Sequence, residues 1–362
     1  MSDPKKASGR LAFIDWTRGL AAVVMIQGHT FHSFARNDLR GQGPYMLSQF
    51  FGGMPPAIFL FLTGITFAFL MHSQQTKGAS GWKRIVAALK RSRYLFLIAF
   101  LFRVQLYIFG FPGSPAGELL RVDILNCMGM AMLLFAPMAV FSTLERIRLC
   151  TVLGLVIAGL APVVSMIDPS TVPWLIRSYF FPSYNYFGFF PWASFLAFGM
   201  AAGSVLRTVK SEDMQQTMLW SMTIGLGVAG ISYYFSNLPY SIYPKSEFWL
   251  NSPALVLIKV GVVLAILSLA YLWVHLGAAQ RWSLFRQLGT TSLLVYWVHI
   301  ELVYGRWFGI WKEDLTVPQI VAFTLVLLVL MALLSVVRTR YRSIGSFFKT
   351  GPVPLARGAS GD

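Results

Sequence analysis

Apolar runs of about 20 residues recur along nearly the whole of this 362-residue chain, and its charges collect between them. A run of that length crosses the hydrocarbon core of a bilayer as a helix. Lipid offers the backbone no hydrogen-bond partners, so a spanning segment must satisfy its own N–H and C=O groups, which a helix does. The expected fold class is therefore all-α, a polytopic membrane helix bundle. Ten spans are expected, at 12–34, 46–71, 93–111, 119–141, 147–167, 185–206, 215–236, 252–276, 288–308 and 316–337.

Composition agrees, with 56% hydrophobic residues, 12% charged residues and a mean hydropathy of +0.61. Soluble domains carry about 25% charged residues. The net charge of +16 invites a nucleic-acid reading, but the basic residues sit in short segments between apolar runs with little aromatic interleaving. No nucleic-acid partner is expected; membrane lipid is. Cys127 and Cys150 fall near opposite faces of the membrane, so no bridge is expected, and no metal-ligand spacing is visible.

Lys and Arg distribution sets the orientation. With the N-terminus inside, inner segments hold 20 of the 30 basic residues and outer segments 7, while Arg18, Arg103 and Lys259 lie within spans. The positive-inside rule then places both termini in the cytoplasm, across a bacterial-type plasma (inner) membrane. Lys5, Lys6 and Arg10 before an apolar run mimic a signal peptide. Asp15 and Arg18 interrupt that run, so it reads as a retained first helix. The expected organisation is a membrane domain over 1–343 and a disordered cytoplasmic tail over 344–362.

The spans are not uniformly apolar. Asp15, Arg18, His29 and His32 fall within a stripe of roughly 100° on the first helix. An ionisable group inside lipid costs several kcal/mol, so each is a functional-site hypothesis. Eleven residues separate Arg18 from His29, ~16 Å along a helix, which puts Arg18 in the inner half and His29 towards the outer end. A neutral imidazole there can take a proton from an attacking hydroxyl or amine. The alternative is a histidine bonded to a carbonyl between packed helices.

Further polar groups accompany this stripe. Asp123 and Asn126 share a face near the outer side and could orient His29; equally, Asp123 could pair with Arg103 or Arg121. Arg103 lies too deep to be a topology signal and needs an anionic or carbonyl partner, and Lys259 raises the same question unless it snorkels outward. In the ninth span Ser292, Tyr296 and His299 share a face, with Glu301 pointing elsewhere. The inner loop from Lys77 to Arg93 holds six basic residues and no acid, and suits either a phosphorylated ligand or anionic lipid.

These segments resemble the transmembrane acyltransferase superfamily. Ile14-Asp15-x-x-Arg18-Gly19-Leu20-Ala21 ending at His29 is similar to the first helix of heparan-alpha-glucosaminide N-acetyltransferase-like bacterial membrane proteins. Arg18 and His29, ten residues between them, resemble the arginine–histidine motif of the related acyltransferase-3 family. Ala57–Gly64, Leu119–Leu125, Phe190-Pro191-Trp192 with Gly199, and the segment ending at His299 extend the likeness in order over most of the chain. The acyltransferase-3 Arg-x-x-Arg pair is Lys90-x-x-Arg93 in this chain, a departure.

The resemblance implies an acyltransferase that moves an acyl group, in the first instance acetyl, from cytoplasmic acyl-CoA to an extracytoplasmic sugar or glycan. It implies His29 as base or transient acyl carrier, with His32 as rival, and Asp123 and Asn126 as orienting groups. Arg18, Lys90, Arg91, Arg93 and Arg103 become the expected acyl-CoA contacts. Arg121, Tyr296 and His299 become the expected acceptor contacts. No metal is expected, and a homo-oligomer is left open. The competing reading is a transporter or proton-coupled exporter using the same polar track; the lack of an internal repeat speaks against it.

Overall fold

The computed structural model describes the backbone of residues 4–276 and 282–349 and the side chains of 12–276 and 282–341. Lys5, Lys6, Arg10, Arg281, Arg342, Lys349 and Arg357, used above for orientation, have side chains outside the described residues, as does the expected tail beyond 349.

The chain is a helix bundle in this order: α1 (Pro4–Phe34), α2 (Gly43–Gly52), α3 (Pro55–Thr76), α4 (Gly81–Gly110), α5 (Ile124–Phe135), α6 (Thr143–Val164), α7 (Trp174–Phe180), α8 (Phe189–Thr208), α9 (Met214–Ser236), α10 (Phe248–Asn251), α11 (Pro253–His275), α12 (Leu284–Thr290), α13 (Ser292–Tyr304) and α14 (Val317–Lys349). Among the described residues the extended structure is one isolated bridge, Ala35 to Leu315. Among the described residues seven segments are long and apolar enough to cross a membrane. The other three expected spans, α1, α4 and the α12–α13 pair, are helical too and carry ionisable groups: Asp15, Arg18 and His29; Arg103; Arg286, His299 and Glu301. This is an integral, multi-pass membrane protein.

Three expected spans are broken. The span over 46–71 divides between α2 and α3, because Pro55 and Pro56 lack the N–H groups a continuing helix needs and start a new one instead. The span over 119–141 is α-helical only over α5, with 3₁₀ turns at Ala116–Leu120 and Ala136–Ala139. The span over 288–308 divides at Thr291. At the far end α14 runs on to Lys349, past the expected boundary at 344.

Helices meet closely at small residues, as membrane helices do. α3 packs most extensively on α8, where a Cβ at Gly199 would lie 2.0 Å from the Phe61 carbonyl oxygen and one at Gly64 2.2 Å from that of Leu196. α1 crosses α12 likewise: a Cβ at Gly289 would sit 1.7 Å from the Asp15 carbonyl oxygen. The larger core is built around α3, α5 and α8, and a second gathers α1, α12, α13 and α14. α1 contributes to both, and it carries the polar stripe.

The C-terminal end of α1 is fastened by the loop before α14. Leu315 N–H donates to the Phe34 carbonyl at 2.9 Å, Arg36 N–H to that of Leu315 at 3.2 Å, and Glu313 N–H to that of Ser33 at 3.2 Å. Glu313 adopts φ 57° to do this, a left-handed conformation uncommon for a residue with a Cβ.

Candidate active site

One cavity of about 1600 Å³ opens beside α1. Arg18, Arg91, Thr290, Arg338 and Tyr341 line one end; His32, Arg121, Arg306 and Lys312 line the other. Between them the wall is largely apolar, from Met25, Phe59, Phe102, Leu106 and Ile300, with Tyr296. His29 opens into the cavity near the second end. Helical rise separates Arg18 from His29 by ~16 Å, so the cavity joins two layers of the bundle.

His29 is held by a histidine rather than a carboxylate. His29 Nδ1 lies 3.0 Å from His299 Nε2, and the His299 Nδ1 lies 2.8 Å from the Val295 carbonyl oxygen. The two rings are parallel within 9°, centroids 5.2 Å apart. His299 is fully buried and does not line the cavity. It stands behind His29 and not on the cavity wall, where an acceptor contact was expected. Tyr304 packs edge-on to His29 at 5.3 Å, and its hydroxyl lies 3.3 Å from the Nδ1 of exposed His32.

Asp123 and Asn126 make no hydrogen bond to His29. Asp123 caps α5, its carboxylate accepting from the N–H groups of Leu125 at 2.9 Å and Asn126 at 3.1 Å, while its other oxygen meets Arg103 at 3.2 Å. Asn126 closes the capping box and donates to the Tyr179 hydroxyl at 3.1 Å. Both groups are thereby committed to structure. Arg103 also reaches Glu118 at 3.7 Å, and Glu118 pairs with Arg121 at 3.3 Å. Arg103, Arg121, Asp123 and Tyr296 all line the cavity, though each arginine already has a carboxylate.

The basic run on α4 is divided by helix geometry. Arg91 faces the cavity. Lys90, one position back and ~100° round the helix, faces a separate, smaller groove with Gln74, Trp82 and Lys83. Arg93 is exposed and lines neither. Arg18 bonds Asp15 at 3.2 Å and still lines the cavity. Lys259 turns inward, donating to the Gly53 carbonyl at 3.0 Å over the face of Trp192, instead of snorkelling. Glu301 is buried and accepts from Trp307 at 3.0 Å and Gln105 at 3.3 Å.

Among the lining residues that sequence reasoning missed are Tyr304, Arg306, Lys312 and Arg338. The three basic ones counted there only as topology charges, and for Arg338 its position on the face of α14 that carries Leu334 and Val337 was the signal available. Lys312 donates to Ser33 Oγ at 2.7 Å and to the Val303 carbonyl, and lies 4.8 Å from the Phe34 ring. It joins the ends of α1 and α13, so the helices that carry His29 and His299 are tied where the cavity opens.

Residues 10–239 match the family described as heparan-alpha-glucosaminide N-acetyltransferase, catalytic. The chain belongs to that family. A comparison with curated proteins returns no match. The heparan-alpha-glucosaminide N-acetyltransferase match takes in α1 to α9, and with it Arg18, His29, Arg91 and the Arg103–Asp123 pair. It makes this an N-acetyltransferase-type membrane enzyme. His299, Tyr304, Lys312 and Arg338 come from beyond the matched residues.

Proposed function

We propose that the protein transfers an acetyl group from cytoplasmic acetyl-CoA to a sugar or glycan acceptor on the outer side of a bacterial-type inner membrane, with both termini in the cytoplasm. The observation that carries this reading is that Arg18, Arg91 and Arg338 open into the same cavity as His29. Three guanidiniums at the cytoplasmic end suit the phosphates of the CoA nucleotide, which arginine binds bidentately. The apolar middle of the cavity suits the pantetheine arm. Extended, that arm carries the thioester from the arginines to the level of His29.

His29 is then the base. An acceptor amine or hydroxyl attacks the thioester carbonyl as Nε2 of His29 takes its proton. The new N–C or O–C bond forms and the C–S bond breaks. The proton passes from His29 to the departing sulfur, which leaves as CoA thiol. General-base catalysis of this kind is worth about 10²–10⁴-fold.

Two measurements test the reading. Acetyl-CoA should raise the unfolding temperature of the purified protein, since a ligand that binds only the folded state stabilises it. His29→Ala should abolish acetyl transfer and keep that stabilisation. Full activity in the variant removes the central claim. No stabilisation of the wild type, together with proton-dependent solute flux in vesicles, would favour a transporter. Mass spectrometry of surface glycans with and without the protein identifies the acceptor.

A further inference from the structure

We propose that His299 is a positioning residue that fixes the tautomer of His29, so that the proton rides on Nδ1 and the lone pair on Nε2 is offered to the cavity. This rests on His29 being the base. It starts from the Val295 carbonyl, which can only accept. His299 Nδ1, 2.8 Å away, therefore carries a hydrogen and donates it. In a neutral ring the other nitrogen, Nε2, is then a lone pair. That lone pair faces His29 Nδ1 at 3.0 Å. A neutral pair has one arrangement that makes a bond there, with His29 Nδ1 donating. The opposite tautomer of His29 would set two lone pairs against each other in the same plane, since the rings are parallel within 9°.

The surroundings make the setting rigid. His299 is fully buried, and its donor partner lies one turn back on its own helix, so its ring cannot turn without losing the Val295 bond. When His29 takes the acceptor's proton on Nε2, its Nδ1–H remains and becomes a charge-assisted donor to His299. The Val295 carbonyl polarises His299 in the same sense, each bond strengthening the next. A buried carboxylate would do the same orienting work with a full negative charge. Among the described residues His29 has none in hydrogen-bond contact, because Asp123 is committed to α5 and Arg103. The imidazolium is therefore free to return its proton to the departing thiolate.

The test compares His299→Gln, whose amide oxygen can accept from His29 Nδ1, with His299→Leu, which cannot. Both are assayed for kcat and KM with acetyl-CoA between pH 5 and 9, alongside His29→Ala. Expected for Leu is a fall in kcat of at least about tenfold, since loss of an orienting partner in a catalytic triad costs up to about 10⁴-fold. KM and acetyl-CoA stabilisation should stay unchanged, and the acidic limb of the kcat profile should move. Gln should recover most of the loss. Equal activities for Leu and Gln, or a Leu variant within about threefold of wild type at every pH, overturn the proposal. So does loss of acetyl-CoA stabilisation in both variants, which marks His299 as structural only.

Nitrogen-15 spectra of histidine-labelled wild type test the same point with His299 in place, His29→Ala serving to assign the signal. They should show His29 protonated at Nδ1 and bare at Nε2; the reverse overturns the proposal. Activity surviving in His29→Ala would instead sink the reading of His29 as the base, whatever His299 does.

Discussion

Lys312 lies where the loop before α14 closes over the ends of α1 and α13, and burial pushes its amine down to about 8. In the unfolded chain the same group holds its proton to 10.5. Between those values the unfolded chain binds a proton that the native chain has released, so stability from this group rises with pH from about 8 towards 10.5 and is flat below. Lys312→Met should flatten that rise, read as Tm between pH 7.5 and 10 in detergent; an equally steep rise in the variant would assign it to another group. His32 belongs to the same mouth but faces solvent, bonded to Tyr304. Replacing it by alanine should cost far less than the roughly 10²–10⁴-fold of a general base, measured as kcat beside His29→Ala. Comparable losses in both would reopen His32 as the base.

At the level of elements, α5 and the α3–α8 crossing show what the buried charges and glycines are for. Asp123→Asn keeps an acceptor for the α5 cap but strips Arg103 of its nearest charge. Breaking a buried pair costs about 3–5 kcal/mol, and Glu118 at 3.7 Å from Arg103 should hold the loss to the lower end. Thermal unfolding should therefore fall by about 3 kcal/mol while kcat in the surviving protein changes little. A collapse of kcat at unchanged stability would return Asp123 to the chemistry. At the crossing, Gly199→Leu puts a side chain where the Phe61 carbonyl already stands 2.0 Å from the first added carbon. Overpacking in a fitted core costs about 1–3 kcal/mol, and a backbone neighbour gives way less easily than a side chain. The variant should unfold well below wild type or not accumulate in the membrane; normal Tm would mean the helices separate more easily than this packing allows.

For the whole molecule, the defining property is a cavity that reaches two levels of the helix bundle with different chemistry at each. Arg338, from the last helix, shares one end of it with Arg18 and Arg91 from α1 and α4. Arg338→Gln should raise KM for acetyl-CoA about tenfold, ~1.4 kcal/mol, and leave KM for acetyl-pantetheine, which lacks the nucleotide, unchanged. An equal rise for both donors would place Arg338 elsewhere than on the nucleotide.

The lipid environment made most of the fold readable from the chain. Every spanning segment must satisfy its own backbone, so each writes itself as a long apolar run, and an ionisable group such as Arg18 or His29 stands out against it. Breaks at Pro55, Pro56 and Thr291 shifted the helix ends without changing which segments are helical. Partnership was not readable. His29 and His299 are 270 positions apart, and no local spacing records which of Asp123, His32 and His299 reaches the imidazole. Nor does the run Lys90-Arg91-Ser92-Arg93 say that Arg91 alone turns to the cavity, because that depends on the azimuth of α4 against its neighbours. The amino-acid pattern alone gives a membrane helix bundle with an arginine and a histidine on one face of its first helix. Only the tertiary structure decided what that histidine bonds to and which charges share its cavity, because those depend on how helices from distant parts of the chain are packed.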